Sequence, residues 1–121
     1  MDIEEIKEAF LEESAEYLNI LKNNLNEMRE KYPDIEDNLI YETYRAAHSI
    51  KGTAGFLALG NISATAKAIE TKMMPFRDKE KVISPKDIEL ISKASEFLES
   101  LIDNMEKSED TDIREVLETL V

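Results

Sequence analysis

Apolar residues recur every three to four positions along nearly the whole chain, and no stretch shows the strict alternation of a half-buried strand. An all-α fold is therefore expected. The first helix reads from about Ile3 to Lys31, with Ile3, Ile6, Phe10, Tyr17, Leu21, Leu25 and Met28 forming one stripe, and Tyr32-Pro33 closing it. A second runs from about Ile35 to Leu59 and stops at Gly60, which suits the left-handed position that ends many helices. The third spans about residues 62–77: Asn61 is its expected cap, Ile62, Ala66, Ile69 and Met73 its inner face, and Pro75 should end or kink it. Met73 and Met74 both read as core filling.

The fourth helix, about 85–107, has the clearest start. Ser84 precedes Pro85 at the first helical position, and Asp87 stands three residues after the cap, as in a capping box. Ile88, Ile91, Leu98, Leu101 and Met105 mark its buried side. After the polar break "KSEDTD", a short helix at about 112–120 offers Ile113, Val116, Leu117 and Leu120 to lie across the others. Each apolar stripe can be buried only against another, and the connections are short. The pattern therefore predicts an antiparallel up-down four-helix bundle with a short fifth C-terminal helix, a single domain over 1–121.

Composition narrows the chemistry. The chain has 121 residues, no cysteine and one histidine, so neither disulfides nor thiolate chemistry arise, and a conventional zinc site would have to be built from carboxylates. Its formal net charge of −12 repels phosphate backbones and anionic lipid, which sets aside nucleic acid and membrane surfaces as partners. No run approaches the ~20 apolar residues of a membrane span, and the start "MDIEEIKEAF" lacks a signal-peptide pattern. A cytoplasmic domain is expected.

The chemistry concentrates in "YRAAHSIKGTAGFLAL", Tyr44 to Leu59, which holds the single histidine, His48, and two of the three glycines, Gly52 and Gly55. Each glycine inside a helix costs about 1 kcal/mol relative to alanine. At about 100° per residue, Ala47, Ile50, Ala54 and Leu57 form the buried side, while Tyr44, Lys51, Gly52 and Gly55 gather around an outward-pointing His48. The glycines thus read as a low surface over which a partner reaches the imidazole. A convex helical face offers no substrate pocket for general acid–base work. A nucleophile towards a phosphoryl group needs less: a free ring nitrogen, an orienting partner, a nearby cation and open access.

These residues carry a resemblance. "AAHSIKGTAGFLAL" resembles the signature around the phosphorylated histidine of histidine phosphotransfer (HPt) domains, most closely the N-terminal phosphotransfer domain of CheA-type chemotaxis kinases; "AFLEESAEYLNILKNNL" is similar to that family's opening helix, and "AKAIE" to its glutamate-bearing third-helix segment. The resemblance implies that His48 accepts the phosphoryl group, Lys51 helps neutralise it, Gly52 leaves room for it, and Glu70 accepts a hydrogen bond from Nδ1–H so that Nε2 keeps its lone pair. Where relatives often carry a second histidine one turn before that glutamate, this chain has Lys67, expected to pair with Glu70 at i,i+3 as a second cation.

The resemblance further implies a phosphoryl carrier that is not itself an enzyme. The domain holds no cofactor; ATP and Mg2+ belong to its partners, a CheA-type ATP-binding domain and response regulators of the CheY or CheB type. It would be monomeric and form the front of a longer CheA-like kinase. No glycine-rich phosphate loop with an adjacent lysine occurs in the chain. The alternatives are an acidic helical adaptor without phosphotransfer and, less well supported, a hydrolase using His48 as base, for which no nucleophile stands in a recognisable constellation.

Overall fold

The computed structural model describes residues 2–121. Four long helices make up the body: α1 (Ile3–Lys31), α2 (Asp37–Phe56), α3 (Gly60–Arg77) and α4 (Pro85–Asp103). A 3₁₀ helix over Met105–Asp110 and the short α5 (Arg114–Leu120) follow. Each long helix packs on its chain neighbours, and α4 closes the ring against α1. This is the antiparallel bundle that the hydrophobic pattern predicts. The most extensive packing is between α2 and α3, and α5 lies across α3 and α4.

The core follows the stripes. Phe10, Leu21, Leu25 and Met28 of α1 meet Ile50 of α2, Ile62, Ile69 and Met73 of α3, and Ile88, Ile91 and Leu98 of α4, all at 2% exposure or less. Two apolar residues expected inside lie outside it. Ile3, in the first turn of α1, is 69% exposed, and Met74 is 38% exposed while its neighbour Met73 is buried. Consecutive residues on a helix point about 100° apart, so one inward methionine forces the other towards solvent.

The helix ends separate local signals from tertiary ones. Asp2 caps α1 by accepting from the Glu5 amide at 2.9 Å. Ser84 and Asp87 form the capping box: the Asp87 amide donates to Ser84 Oγ at 3.1 Å and the Ser84 amide to Asp87 Oδ2 at 2.9 Å. The junction of α2 and α3 departs from expectation. The left-handed residue is Ala58, at φ 60°, not Gly60. The Leu59 amide reaches back to the Ala54 carbonyl at 2.9 Å and the Ala58 amide to that of Gly55 at 3.1 Å, the paired bonds of a Schellman motif.

Gly60 instead opens α3, and Asn61 lies inside the helix rather than capping it. The cap comes from far along the chain: Glu109 Oε1 accepts from the Asn61 amide at 2.8 Å. A side chain on Gly60 would meet that carboxylate at 3.3 Å, so the close approach explains the glycine. The Asn61 side-chain amide donates to the Ser108 and Thr111 carbonyls at 2.8 and 2.9 Å, fastening the 3₁₀ segment to α3.

Pro75 neither ends nor sharply interrupts α3, which runs on to Arg77. It removes one amide donor only, and the buried Phe76 holds the last turn against the core. Lys79, at φ 61°, turns the chain away. The fourth helix stops at Asp103, four residues earlier than expected, and the chain tightens into the 3₁₀ helix that carries Glu109 to α3. The fifth helix begins at Arg114 rather than 112, which leaves Ile113 just before it, and of its three apolar residues Leu120 alone is fully buried. Among the described residues, no helix is long and apolar enough to cross a membrane.

Candidate functional site

His48 sits midway along α2 on its outer face, with its side chain 56% exposed. The buried residues of the same helix are Leu39, Ile40, Thr43, Ala46, Ala47, Ile50 and Ala54. Three of these seven are alanines, so α3 can approach α2 closely. Glu70 projects from α3 with its side chain only 8% exposed, and one carboxylate oxygen, Oε2, bonds His48 Nδ1. Lys51, one turn beyond His48, donates from Nζ to Glu70 Oε1 at 3.0 Å and Oε2 at 3.2 Å. Histidine, glutamate and lysine thus form one connected charge cluster across two helices. Ser63 of α3 donates to the Lys51 carbonyl at 3.0 Å and pins the helices together beside it.

Burial pushes the Glu70 carboxyl up, but the hydrogen bonds from His48 and Lys51, together with the lysine charge, outweigh it and hold the group below its ordinary value of 4.5. Glu70 is therefore an anion at neutral pH. An ionised carboxylate only accepts, so the shared proton of a neutral imidazole belongs to Nδ1, and Nε2 faces outward with its lone pair free.

The space in front is bare. A Cβ on Gly52 would meet nothing within 4 Å, so Gly52 faces open space as expected, whereas one on Gly55 would touch Ser63 Oγ at 3.4 Å. Gly55 thus also serves the α2–α3 contact. Lys67 departs from expectation. Both Glu70 oxygens are taken by His48 and Lys51, and Lys67 makes no ion pair with Glu70 among the described residues. It lines instead an open groove with Ala68, Thr71 and Leu117.

A second layer extends beyond the Tyr44 that the helical wheel places beside His48, through Tyr41 and Arg77, which sequence reasoning missed. The Tyr44 ring stacks on the His48 ring with centroids 6.0 Å apart and planes 21° apart, and Tyr41 continues the stack at 6.3 Å. Arg77, from the end of α3, lies over Tyr44 with its guanidinium carbon 4.3 Å from the ring centre. The i, i+3 and i+4 spacing of Tyr41, Tyr44 and His48 was a readable signal for the ladder; Arg77 joins it only because α3 runs on past Pro75. Among the described residues, no group of three or more His, Cys, Asp or Glu side chains is placed to hold a metal ion.

A helical bundle that presents one oriented, unblocked imidazole beside a lysine defines a histidine phosphotransfer class of protein. The model of the Hpt domain family matches residues 5–120, and the chain belongs to that family. It is 29% identical over 112 residues to the chemotaxis protein CheA of Klebsiella aerogenes, covering 93% of this chain. It is 36% identical over 73 residues to CheA of Rhizobium meliloti, and 28% over 101 residues to the sensor histidine kinase CheAY of Helicobacter pylori, covering 60% and 84% of this chain. The chain spans 17%, 9% and 12% of the lengths of these three relatives. Among solved structures, the phosphorylated P1 domain of CheA3 in complex with CheY6 from R. sphaeroides shares the fold. Its TM-score is 0.85 at 18% identity, over 98% of this chain and 94% of that one.

Proposed function

We propose that His48 is the phosphoryl carrier of a CheA-like chemotaxis kinase of which these residues form one domain. The observation that carries this reading is the bond from His48 Nδ1 to the buried, ionised Glu70, with Lys51 on the same carboxylate and Gly52 open in front. In the loading step, the Nε2 lone pair attacks the γ-phosphorus of ATP held with Mg2+ by the kinase's ATP-binding domain. The N–P bond forms, the bond from phosphorus to the bridging oxygen breaks, and ADP leaves with that electron pair. Nδ1–H stays bonded to Glu70, which stabilises the positive charge that develops on the ring.

In the delivery step, an aspartate oxygen of a CheY- or CheB-type response regulator attacks the phosphorus. The N–P bond breaks and its electrons return to Nε2, restoring the neutral imidazole. Lys51, 28% exposed at its side chain, is near enough to the ring to offset phosphoryl charge in both steps. Gly52 keeps the approach clear. The domain is thus a reactant rather than a catalyst, working as a monomer in the cytoplasm, and Lys67 stands outside the charge cluster.

Incubation with a CheA kinase core and ATP tests the reading. The expected product is an acid-labile, alkali-stable phosphate that discharges to a response regulator and is absent from His48→Gln. Phosphorylation that survives His48→Gln would remove the site assignment, and a folded wild-type domain that stays unphosphorylated would favour a helical adaptor.

A further inference from the structure

Phe56, the last residue of α2, is 89% exposed, although the aliphatic Leu39, Ile40 and Ile50 of that helix are buried and its Tyr41 is only 47% exposed. A single exposed apolar side chain is ordinary. Its position here is not. Phosphoryl delivery requires the acceptor oxygen to contact the phosphorus on Nε2, so the accepting protein must cover the α2 face around His48. A standard interface takes about 800 Å² from each partner, a disc of roughly 16 Å radius. Phe56 lies eight residues beyond His48, about 12 Å along the axis and turned by roughly 80°, inside that disc. Between them Gly52 has no neighbour within 4 Å of a would-be Cβ. The result is a low stretch bounded by one tall apolar side chain.

Electrostatics says what such a side chain is for. The chain carries a net charge of −12, and the partner must bring an aspartate to the site. The carboxylate it brings adds no attraction to so acidic a domain, and a buried aromatic side chain is an effective single source of contact affinity. The structure of similar fold that is a phosphorylated P1 domain in complex with CheY6 points to a receiver as the occupant. We propose that Phe56 is the apolar anchor for the response-regulator receiver to which His48 hands its phosphoryl group, seated in a recess beside the accepting aspartate. This rests on the phosphotransfer reading of His48.

The test loads His48 with phosphoramidate, a small donor that needs no docking, and follows transfer to a CheY-type receiver by rapid quench at varied receiver concentration. The receiver is the one in a purified panel that wild type serves fastest. For Phe56→Ala the half-saturating receiver concentration should rise roughly 10- to 30-fold, with the maximal rate within about twofold of wild type. Phe56→Leu should recover most of the loss. Val82→Ala, 88% exposed in the connection between α3 and α4, should leave the curve in place. An unmoved curve for Phe56→Ala, or an equal shift for Val82→Ala, overturns the anchor while transfer by wild type keeps the carrier reading. A wild-type domain that takes phosphate from neither phosphoramidate nor a kinase core overturns both.

Discussion

The two faces of α2 share one backbone and one period, yet they obey different rules. Thr43, Ala46, Ala47, Ile50 and Ala54 are buried, and they set how closely α1 and α3 approach. Tyr41, Gly52 and Phe56 lie open around a half-exposed His48, and little packing holds them. The reactive geometry nevertheless depends on the buried face. Small alanines let α3 come near enough for Glu70, nearly excluded from solvent, to grip His48 from below. The core is therefore part of the chemistry, and the outer face is tuned for access rather than stability.

Substitutions on the two faces should then separate stability from reactivity. The largest thermodynamic effect is expected from Ile50→Ala, which empties a fully buried position and should cost about 2–5 kcal/mol in denaturant unfolding. The fraction that stays folded should still load phosphate. A collapse of activity without loss of fold would mean that Ile50 holds the site directly.

Next comes Glu70→Gln. Losing the charge-assisted bond to Nδ1 is worth roughly 1.5–3 kcal/mol, or about 10- to 150-fold in phosphorylation rate. Nitrogen NMR should show His48 no longer held in a single tautomer. The same carboxylate sets a pH dependence. Because its folded pKa lies below the ordinary 4.5, it contributes stability that is fully present above 4.5 and lost as pH falls through the lowered folded value. The stability gap between wild type and Glu70→Gln should close over that acid window; a gap that persists below it would mean that the carboxylate acts through packing alone.

A smaller change inverts the usual pairing of stability with function. Gly52→Ala places a methyl where nothing stands within 4 Å, so the helix should gain about 0.5–1 kcal/mol while delivery to a receiver slows. A variant that is both more stable and as fast would show that the glycine is not there for access. The smallest expected effect is at the end of α2. Ala58 occupies a left-handed conformation at φ 60°, and Ala58→Gly should stabilise by about 0.5–1 kcal/mol in thermal unfolding without touching phosphotransfer.

By itself the sequence determined the number of α-helices, the stripes that bury them and the outward direction of His48, because these follow from a 3.6-residue period and solvent exclusion. The local cap at Ser84–Asp87 was equally legible, since both partners lie within one turn. The role of Glu70 came only through a family resemblance: nothing in the spacing of residues 48 and 70 says that they meet. The tertiary structure decided the rest. It assigned both Glu70 oxygens to His48 and Lys51 and left Lys67 aside, let α3 continue through Pro75 so that Arg77 covers Tyr44, and brought Glu109 to the Asn61 amide at the start of α3. Each of these joins residues on different elements. Their energies depend on distances that the packing of α2, α3 and the 3₁₀ segment sets, and local propensity carries no record of those distances.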